Sequence, residues 1–346
     1  MGRTSTSTPR HPVRRILVIV VSRIGDTLFA TPAIRAIAKR YPEAELTVLG
    51  HPKRVEVLAS LPFVTRSGGI SKGRSRWMGR LPGKKYDLAF VYGFDEELVR
   101  YGQRVAKEVV AFRQHNPKIN ARLQHVVEPP AFQSEHAVLQ LLRLPAALGI
   151  APDGLRLSVR ITDEEVAAAR KRLGPALQGR PLVGLQVASF PTKAYRDWPI
   201  EHFAALCDAL IARSPEVHFL IFGGSEEKER TNWLATRLGA RATCLAGRLS
   251  LRETAACMSL TDVYVGVDTG PTHIISTFDI PLVAMYHCLS SSAHTGPLDH
   301  PLAYIIDHPA TGTACSETTP MSDIGVEQVL ARVEQALTEH PPRAVR

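Results

Sequence analysis

The sequence lacks the patterns that mark several common classes of protein. Its five cysteines contain no Cys-x-x-Cys pair, which argues against a zinc ribbon and a dense disulfide framework, so a reducing cytoplasm fits best. The apolar run that follows the basic N-terminus, residues 16–21, is far shorter than the ~20 residues of a spanning helix. We therefore expect a loose polar tail followed by a buried strand.

Signatures of metal and hydrolase chemistry are also missing. The chain has no Asp-x-Asp pair, which removes the simplest two-carboxylate metal site, and no Gly-x-Ser-x-Gly elbow of a serine hydrolase. Four late histidines do not recur at helical metal-ligand spacing: His287, His294, His300 and His308. We therefore expect neither a bound metal nor another cofactor.

What the chain does contain is enough apolar sequence for two domains and an excess of positive charge. It has 346 residues, 45% of them hydrophobic, and a net charge of +9. At ~150 residues per domain this length predicts two domains. The charge indicates an anionic partner, which admits nucleic acid, a phosphorylated glycolipid or an acidic membrane face.

Predicted strands alternate with predicted helices along the whole chain, which is typical of a parallel α/β sheet with right-handed crossovers. The strands fall at residues 13–21, 46–49, 86–92, 182–187, 217–222, 263–267 and 282–285, and the helices at 27–42, 52–61, 96–105, 136–148, 163–173, 200–213, 226–238 and 251–258. Thr162 and Glu165 form a plausible capping box. We expect two Rossmann-like domains that face a cleft, residues 1–160 and 161–346, with a C-terminal helix that could pack back on the first.

The most informative stretch is residues 266–273, Gly-Val-Asp-Thr-Gly-Pro-Thr-His, which directly follows a predicted strand. A helix starting at Pro271 or Thr272 would leave backbone N–H groups free to hold a phosphate. The stretch has neither the Gly-x-Gly-x-x-Gly spacing nor a Walker Lys-Ser/Thr, so a purely structural turn is an equal alternative.

Asp26 follows the first predicted strand in a turn that Gly25 would make tight. The simple interpretation is a helix N-cap, which contributes about 1 kcal/mol. The functional alternative is a general base at the end of the strand, worth ~10²- to 10⁴-fold in rate. From the turn alone, the cap is favoured.

Two further segments follow predicted strands. Lys193 and Arg196 could hold a diphosphate, or they could stay solvated while Trp198 and the proline after it start a helix. Glu226 and Glu227 follow a glycine turn; either they cap the next helix electrostatically, or one accepts hydrogen bonds from a ribose.

Residues 71–85 carry six cations and no acid, around Trp77. Such a run is usually a solvated loop, but it could also dock an anionic acceptor. The cations are Lys72, Arg74, Arg76, Arg80, Lys84 and Lys85.

These pieces, in this order and spacing, resemble the family 9 glycosyltransferases, best known as the heptosyltransferases of the lipopolysaccharide inner core. The resemblance runs from Ile16 to about Leu337. Four motifs carry it: Arg23-Ile-Gly-Asp26-x-Leu-x-x-Thr-Pro, Arg196-Asp-Trp-Pro, Leu245-Ala-Gly-Arg-Leu-Ser-Leu and Val267-Asp268-Thr269-Gly270-x-x-His273.

The resemblance implies a GT-B fold in which residues 1–160 bind the acceptor and residues 161–346 bind the nucleotide-sugar. Asp26 matches the catalytic base, and this shifts the interpretation of that residue from cap to base. Arg196 stands where a lysine that contacts donor phosphate is usual, and its planar fork would alter the geometry. Glu227 matches the ribose-binding acid.

The last motif matches the diphosphate-binding backbone of the family. Asp268, Thr269 and Gly270 would form the cradle, and His273 occupies the motif's histidine, for which helix packing is the simple alternative. Residues 286–294 depart from the family, which usually continues here with a Gly-Pro-Thr-like turn. Because this segment would border the donor, it leaves the donor sugar open.

We therefore expect a cytoplasmic, metal-independent, inverting transfer of heptose from ADP-heptose to a lipid-linked, anionic core acceptor, with only peripheral contact to the inner membrane face. Donor contacts are expected from Lys193, Arg196, Glu227, Asp268, Thr269, Gly270 and His273, and acceptor contacts from Arg23, Lys72, Arg74, Arg76 and Arg80. A family member with another donor or acceptor and a non-catalytic binding protein are the alternatives. Nucleic-acid binding rests on charge alone, and no helix-turn-helix, zinc-finger or RNA-binding signature supports it.

Overall fold

The computed structural model describes residues 12–77, 83–131, 133–178 and 180–343. The chain divides into two compact units, residues 1–160 and 161–346. Each unit is built on its own six-stranded parallel sheet. The prediction of two α/β domains with Rossmann-like sheets is confirmed for each unit taken by itself.

The first unit has the strand order β3-β2-β1-β4-β5-β6. Its strands are β1 (Arg15–Val20), β2 (Glu45–Gly50), β3 (Arg66–Gly69), β4 (Tyr86–Tyr92), β5 (Ala106–Phe112) and β6 (His125–Val127). Its helices are α1 (Ile24–Phe29), α2 (Thr31–Arg40), α3 (Lys72–Trp77), α4 (Glu96–Val105), α5 (Pro117–Asn120) and α6 (Ala137–Ala146).

The central strands of this sheet are apolar along their length because helices cover both faces. Every residue of β1 after Arg15 is buried, and the core of the unit includes Leu17, Ala89 and Val109 from three adjacent strands. Loops end on defined caps: the side chain of Asp95 accepts hydrogen bonds from the N–H groups of Glu97 and Leu98 at the start of α4.

The second unit has the order β12-β11-β10-β7-β8-β9. Its strands are β7 (Leu182–Gln186), β8 (His218–Phe222), β9 (Ala242–Cys244), β10 (Val263–Val267), β11 (Leu282–Tyr286) and β12 (Ala303–Asp307). Its helices are α7 (Asp163–Leu173), α8 (Ile200–Arg213), α9 (Lys228–Leu238), α10 (Leu251–Met258), α11 (Gly270–Ile275), α12 (Ser292–Thr295) and α13 (Val326–Glu339). The capping box of Thr162 and Glu165 at α7 is confirmed.

The two sheets have the same topology, although no repeat is visible between their residues. Counted from its own first strand, each sheet runs 3-2-1-4-5-6, the order of a dinucleotide-binding fold. The strand order reverses between β1 and β4 in the first unit and between β7 and β10 in the second. Ligands of such sheets bind beyond the carboxyl ends of the strands at this reversal.

Two predicted elements were wrong. The helix expected over residues 52–61 is only a short 3-10 helix, Val55–Leu58, because β-branched valines and the proline at position 52 disfavour a long helix. The second sheet does not end at residues 282–285 either, since β12 pairs in parallel with β11 beyond it. The strand β12 is only partly buried, so it lacks the continuous apolar run that marks the inner strands.

The last helix does not need the first unit to cover its apolar face. Val329, Leu330 and Val333 of α13 belong to the buried core of the second unit, where the helix packs on α8 and β11. The expectation that this helix could pack back on residues 1–160 stays a prediction.

Trp198, from the Arg-Asp-Trp-Pro motif, anchors the same core. Its ring is fully buried against Phe203, and its indole N–H donates to the carbonyl of Ile324 just before α13, at 2.8 Å. The residue thus joins the start of α8 to the C-terminal helix.

We predict that Trp198→Phe lowers the free energy of unfolding by about 2 kcal/mol, because it leaves the buried carbonyl of Ile324 without its donor and removes ring volume. Trp233→Phe is the matched control, since Trp233 is 45% exposed. Urea unfolding of both variants gives the comparison, and equal stabilities would contradict the anchoring role.

Candidate active site

Asp26 lies at the carboxyl end of β1, the strand at which the order of the first sheet reverses. It is the third residue of α1, and the N-cap is Arg23, so the hypothesis of an Asp26 cap is wrong. Gly25 is inside the helix rather than in a tight turn. The carboxylate of Asp26 is exposed and accepts a hydrogen bond from the Ser22 hydroxyl at 2.6 Å.

The turn before Asp26 is held from two sides. Arg54 donates to the carbonyl of Ser22 at 3.0 Å, and Thr27, fully buried, donates from its hydroxyl to the carbonyl of Arg23 at 2.8 Å. Within the part of the chain that the structure describes, Asp26 forms no ion pair. Its charge is therefore held in place without being neutralised, as a general base requires.

In the described part of the basic segment after β3, residues 72–77 form the helix α3 rather than a loop, and their cations are exposed. Lys72 pairs with Asp95 at 2.5 Å and Arg76 with Glu97 at 3.7 Å, both near the start of α4. Arg74 is exposed, and Arg80 lies outside the described residues. Arg23 is exposed just before α1, after the carboxyl end of β1. The helix α3 follows the carboxyl end of β3 in the same sheet.

Lys193 and Arg196 follow β7, at the reversal of the second sheet, in a 3-10 helix of residues Pro191–Arg196. Both cations lie over the ring of Tyr195, at 5.2 Å and 5.6 Å from its centre. That ring packs edge-on against His287 at 4.9 Å. The aromatic ring therefore fixes the spacing of the two positive charges.

Asp268 follows β10, the strand beside β7, and gathers several partners around a buried carboxylate. Arg196 donates to it at 2.7 Å and the Ser290 hydroxyl at 2.6 Å, while the His273 ring lies 3.4 Å away. The hydroxyl of Thr295 is also at 3.4 Å. The Asp268 side chain thus joins four polar side chains from the segments after three strands.

The balance of forces on Asp268 follows from these contacts. Burial alone would raise its pKa, but the hydrogen bond and charge supplied by His273, followed by Arg196 and Ser290, outweigh burial and hold the pKa below its ordinary value. The carboxylate therefore stays ionised at neutral pH and keeps Arg196 fixed. Sequence reasoning missed Ser290 and Thr295, since isolated hydroxyl residues carry no motif.

The helix predicted to begin at Pro271 or Thr272 begins at Gly270, with an extended Thr269 as its N-cap. The hydroxyl of Thr272 donates to the carbonyl of Val267 at 2.6 Å, which ties the helix to the end of β10. His273 is buried and faces Asp268. Packing is therefore only part of its role.

Glu227 precedes α9, which begins at Lys228 rather than at residue 226. Its carboxylate receives the backbone N–H of Gly224, and a Cβ at that glycine would come within 2.7 Å of the same oxygen. Burial is the main cause that raises the pKa of Glu227 above its ordinary value, against the opposing hydrogen bond from Gly224. Glu226, in contrast, is exposed.

The atypical segment 286–294 is fastened at three points. Ser290 holds Asp268, Ser292 donates to Asp307 through both its N–H and its hydroxyl at 2.7 and 2.6 Å, and Cys288 forms a disulfide with Cys315. This disulfide was not expected from the cysteine spacing, which suggested a reducing environment. Two cysteines 27 residues apart form no recognisable spacing motif.

His287 lies beside this disulfide, and the donor atoms of His287, Cys288 and Cys315 are within 4.8 Å of one another. In the described arrangement the two sulfurs bond each other. The His287 ring nitrogens face the Thr319 carbonyl at 2.9 Å and the Leu289 N–H at 3.1 Å. The trio is thus built as a covalent and hydrogen-bonded fastening of the loop.

None of the described helices has the length and apolarity that crossing a bilayer requires.

Two doubly wound sheets, each with charged residues at its point of reversal, are the architecture of the GT-B fold class. The crystal structure of Escherichia coli ADP-heptose LPS heptosyltransferase II matches with a TM-score of 0.80 over 94% of this chain and 99% of that one, at 22% identity. The fold prediction is confirmed by this likeness. E. coli heptosyltransferase WaaC, solved with ADP-2-deoxy-2-fluoro heptose, matches with a TM-score of 0.64 over 93% and 99%, at 20% identity.

Sequence comparison identifies the family. Residues 89–323, more than half of the chain, match the model of glycosyltransferase family 9 (heptosyltransferase). Lipopolysaccharide heptosyltransferase 2 of Salmonella typhimurium is 26% identical over 305 residues, 83% of this chain and 86% of the relative. The chain belongs to glycosyltransferase family 9 and is a transferase enzyme.

We predict that Asp268→Asn lowers the free energy of unfolding by about 3 kcal/mol at pH 7, because it leaves the partly buried Arg196 without its charge partner. The difference in unfolding free energy between wild type and this variant should become smaller at pH values below the ordinary pKa of an aspartate. The reason is that a carboxyl group with a lowered pKa stabilises the fold only while it is ionised.

The matched control for this prediction is Asp208→Asn, whose pair with Arg237 is about half exposed and should contribute under about 1 kcal/mol. Denaturant unfolding at pH 7 and at about pH 3, below the ordinary pKa of an aspartate, tests both variants. A pH-independent difference, or one no larger than that of the control, would show that the network does not work as described.

Proposed function

We propose that this enzyme transfers a heptose from ADP-heptose to a lipid-linked lipopolysaccharide core acceptor, with inversion at the anomeric carbon and without a metal. The observation that carries the proposal is that a charged side chain follows the strand at which the order of each sheet reverses. An unneutralised Asp26 follows β1, while Arg196, buttressed by buried Asp268, follows β7. The relatives named above are heptosyltransferases, and two of their names mention an ADP-sugar or ADP-heptose.

In this proposal Asp26 accepts the proton of the acceptor hydroxyl as that oxygen attacks the anomeric carbon. Attack from the face opposite the diphosphate inverts the carbon, and a single carboxylate suffices. A glycosidase would instead place two carboxylates around one bond. Ser22, which donates to one oxygen of Asp26, orients the other toward the substrate.

The leaving ADP gathers negative charge as the bond breaks, so positive groups that are already in place lower the barrier. Arg196 and Lys193 on either side of Tyr195 supply these charges, together with backbone N–H groups near Thr269 and Gly270. His273 acts through Asp268, which it helps to keep ionised.

The remaining contacts are assigned by chemistry. The carboxylate of Glu227 would accept hydrogen bonds from the ribose hydroxyls. Arg23 and the basic helix α3, with Lys72, Arg74 and Arg76, would attract the anionic acceptor to the first unit. Contact with the inner face of the membrane would be peripheral.

A panel of ADP-, UDP- and GDP-linked sugars, offered with a truncated core acceptor, tests the donor assignment by turnover. ADP-heptose should be the preferred donor. A second candidate is a family member with another sugar, favoured by the atypical segment 286–294 that supplies Ser290 to the site. Preference for another donor in the panel would establish that alternative.

We predict that Asp26→Asn retains the fold and the affinity for ADP but loses at least about 10²-fold in single-turnover rate, since the amide cannot accept the proton. Ser22→Ala, which removes only the hydrogen bond to Asp26, should lose much less. If the Asp26→Asn rate stayed within a few-fold of wild type, another group would have to be the base.

The raised pKa of Glu227 generates a separate prediction. Only the ionised carboxylate can accept hydrogen bonds from both ribose hydroxyls, so the affinity for ADP should fall on acidification. Because the pKa of Glu227 is raised, this fall should begin above the pH at which an ordinary glutamate protonates. Calorimetric titration from pH 8 to pH 5 measures this.

Glu227→Gln is the control for that titration, because glutamine keeps the shape of the side chain but does not ionise. Protonation of ADP itself affects both proteins equally and cancels when the two curves are compared. The extra pH dependence should disappear in this variant. Parallel curves for the two proteins would remove Glu227 from the ribose site.

A further inference from the structure

A cationic cavity lies in the first unit, between α4 and α5, and takes no part in the proposed transfer. Its volume is about 440 Å³. We call it the α4–α5 pocket; its polar lining comprises Arg100, Gln103, Arg104, Asn116, Lys118 and Arg122. Four of these side chains are positively charged, and none of the described lining residues is acidic.

The walls of the pocket are fixed by hydrogen bonds. The side-chain amide of Gln103 donates to the carbonyl of Ile119 at 2.9 Å, which ties α4 to α5. Asn116 caps α5 by accepting the N–H of Lys118 at 3.0 Å. Arg104 donates to the carbonyl of Ser75 and lies over the ring of Tyr101 at 6.0 Å. The cavity is therefore a built feature rather than a gap between mobile side chains.

The charges around the pocket are not balanced. Arg100 is paired with Glu96 at 3.2 Å and with Glu97 at 3.8 Å. In the described ranges, however, no carboxylate pairs with Lys118 or Arg122, which are both exposed at the outer wall. The pocket thus combines fixed donors inside with uncompensated charge at its rim.

A neighbouring group reports the same positive field. Lys84 donates to the carbonyl of Gln103, next to the pocket. Burial is the first cause that lowers the pKa of Lys84, and the positive charge of Arg122 is the second. A cation beside the pocket is therefore already repelled, and an anion in it would be attracted.

We propose that the α4–α5 pocket binds a phosphate ester. Planar guanidinium groups match phosphate oxygens in bidentate geometry, and Lys118 adds a point charge. The lining includes no aromatic ring on which a base could stack, so the pocket suits a phosphate headgroup rather than a nucleotide. The phosphate could belong to an anionic lipid headgroup or to a free sugar or glycerol phosphate.

An exposed aromatic residue lies on the adjacent helix. Trp77 ends α3, the helix whose Ser75 holds Arg104, and it is 71% exposed. Tryptophan at such a position is typical of surfaces that meet the membrane interface. The lipid headgroup is therefore the first source to test.

The test compares the double variant Lys118→Glu/Arg122→Glu with Arg170→Glu/Lys171→Glu, which reverses two exposed charges on α7 and so makes the same change in net charge. One arm measures co-sedimentation with phosphatidylcholine vesicles that contain or lack phosphatidylglycerol. The other arm measures calorimetric binding of glycerol phosphate. Melting temperatures establish whether both variants fold. If the Lys118→Glu/Arg122→Glu variant does not fold, Lys118→Gln/Arg122→Gln takes its place.

Wild type and the α7 control should bind phosphatidylglycerol vesicles, and the pocket variant should bind at least about tenfold more weakly, with all binding reduced by salt. Loss of glycerol phosphate binding in the pocket variant alone would identify the free ester as the source and would also support the pocket. Equal loss in both charge reversals, or no binding in either arm, would overturn the proposal. Neither arm measures turnover, so this result is independent of the proposed transfer.

Discussion

The ion pair between buried Asp268 and partly buried Arg196 is the constraint on which the second unit's candidate site depends. It joins the segments after β7 and β10, the two strands where the sheet order reverses. Ser290 extends the junction to the segment after β11. An ionised carboxylate at this depth is tolerable only because charged and polar partners replace the water it has lost. The position of Arg196 is thereby fixed by the fold itself.

In the first unit, the charged residue after the central strand is not buried. Asp26 is exposed, and the fixed elements are the backbone groups around it, held by Arg54 and Thr27. The two units share one topology, yet an exposed carboxylate follows the first strand of one sheet and a partly buried cation follows the first strand of the other.

Much of this fold could be predicted from sequence because its inner strands are continuously apolar and its helices begin at marked caps. The strand of residues 263–267 and the helix after Thr162 are examples in which pattern and structure coincide. The four edge strands β3, β6, β9 and β12 escaped prediction, since short, glycine-rich or half-exposed strands carry little pattern. The inner strand β5 escaped as well, because Lys107 and Glu108 interrupt its apolar run. Motifs located Asp26, Arg196 and Asp268, but the partners of Asp268 required tertiary structure, because Ser290 and Thr295 are remote in sequence.

The bond between Cys288 and Cys315 encloses the edge strand β12 within a covalent loop. Strands at the rim of a sheet are normally among the first to open in local unfolding. Here β12 can detach from β11 only as far as its tether allows, and the same tether limits excursions of the Ser290 segment. Opening of this rim and movement of the Ser290 segment are consequently restrained by the same crosslink.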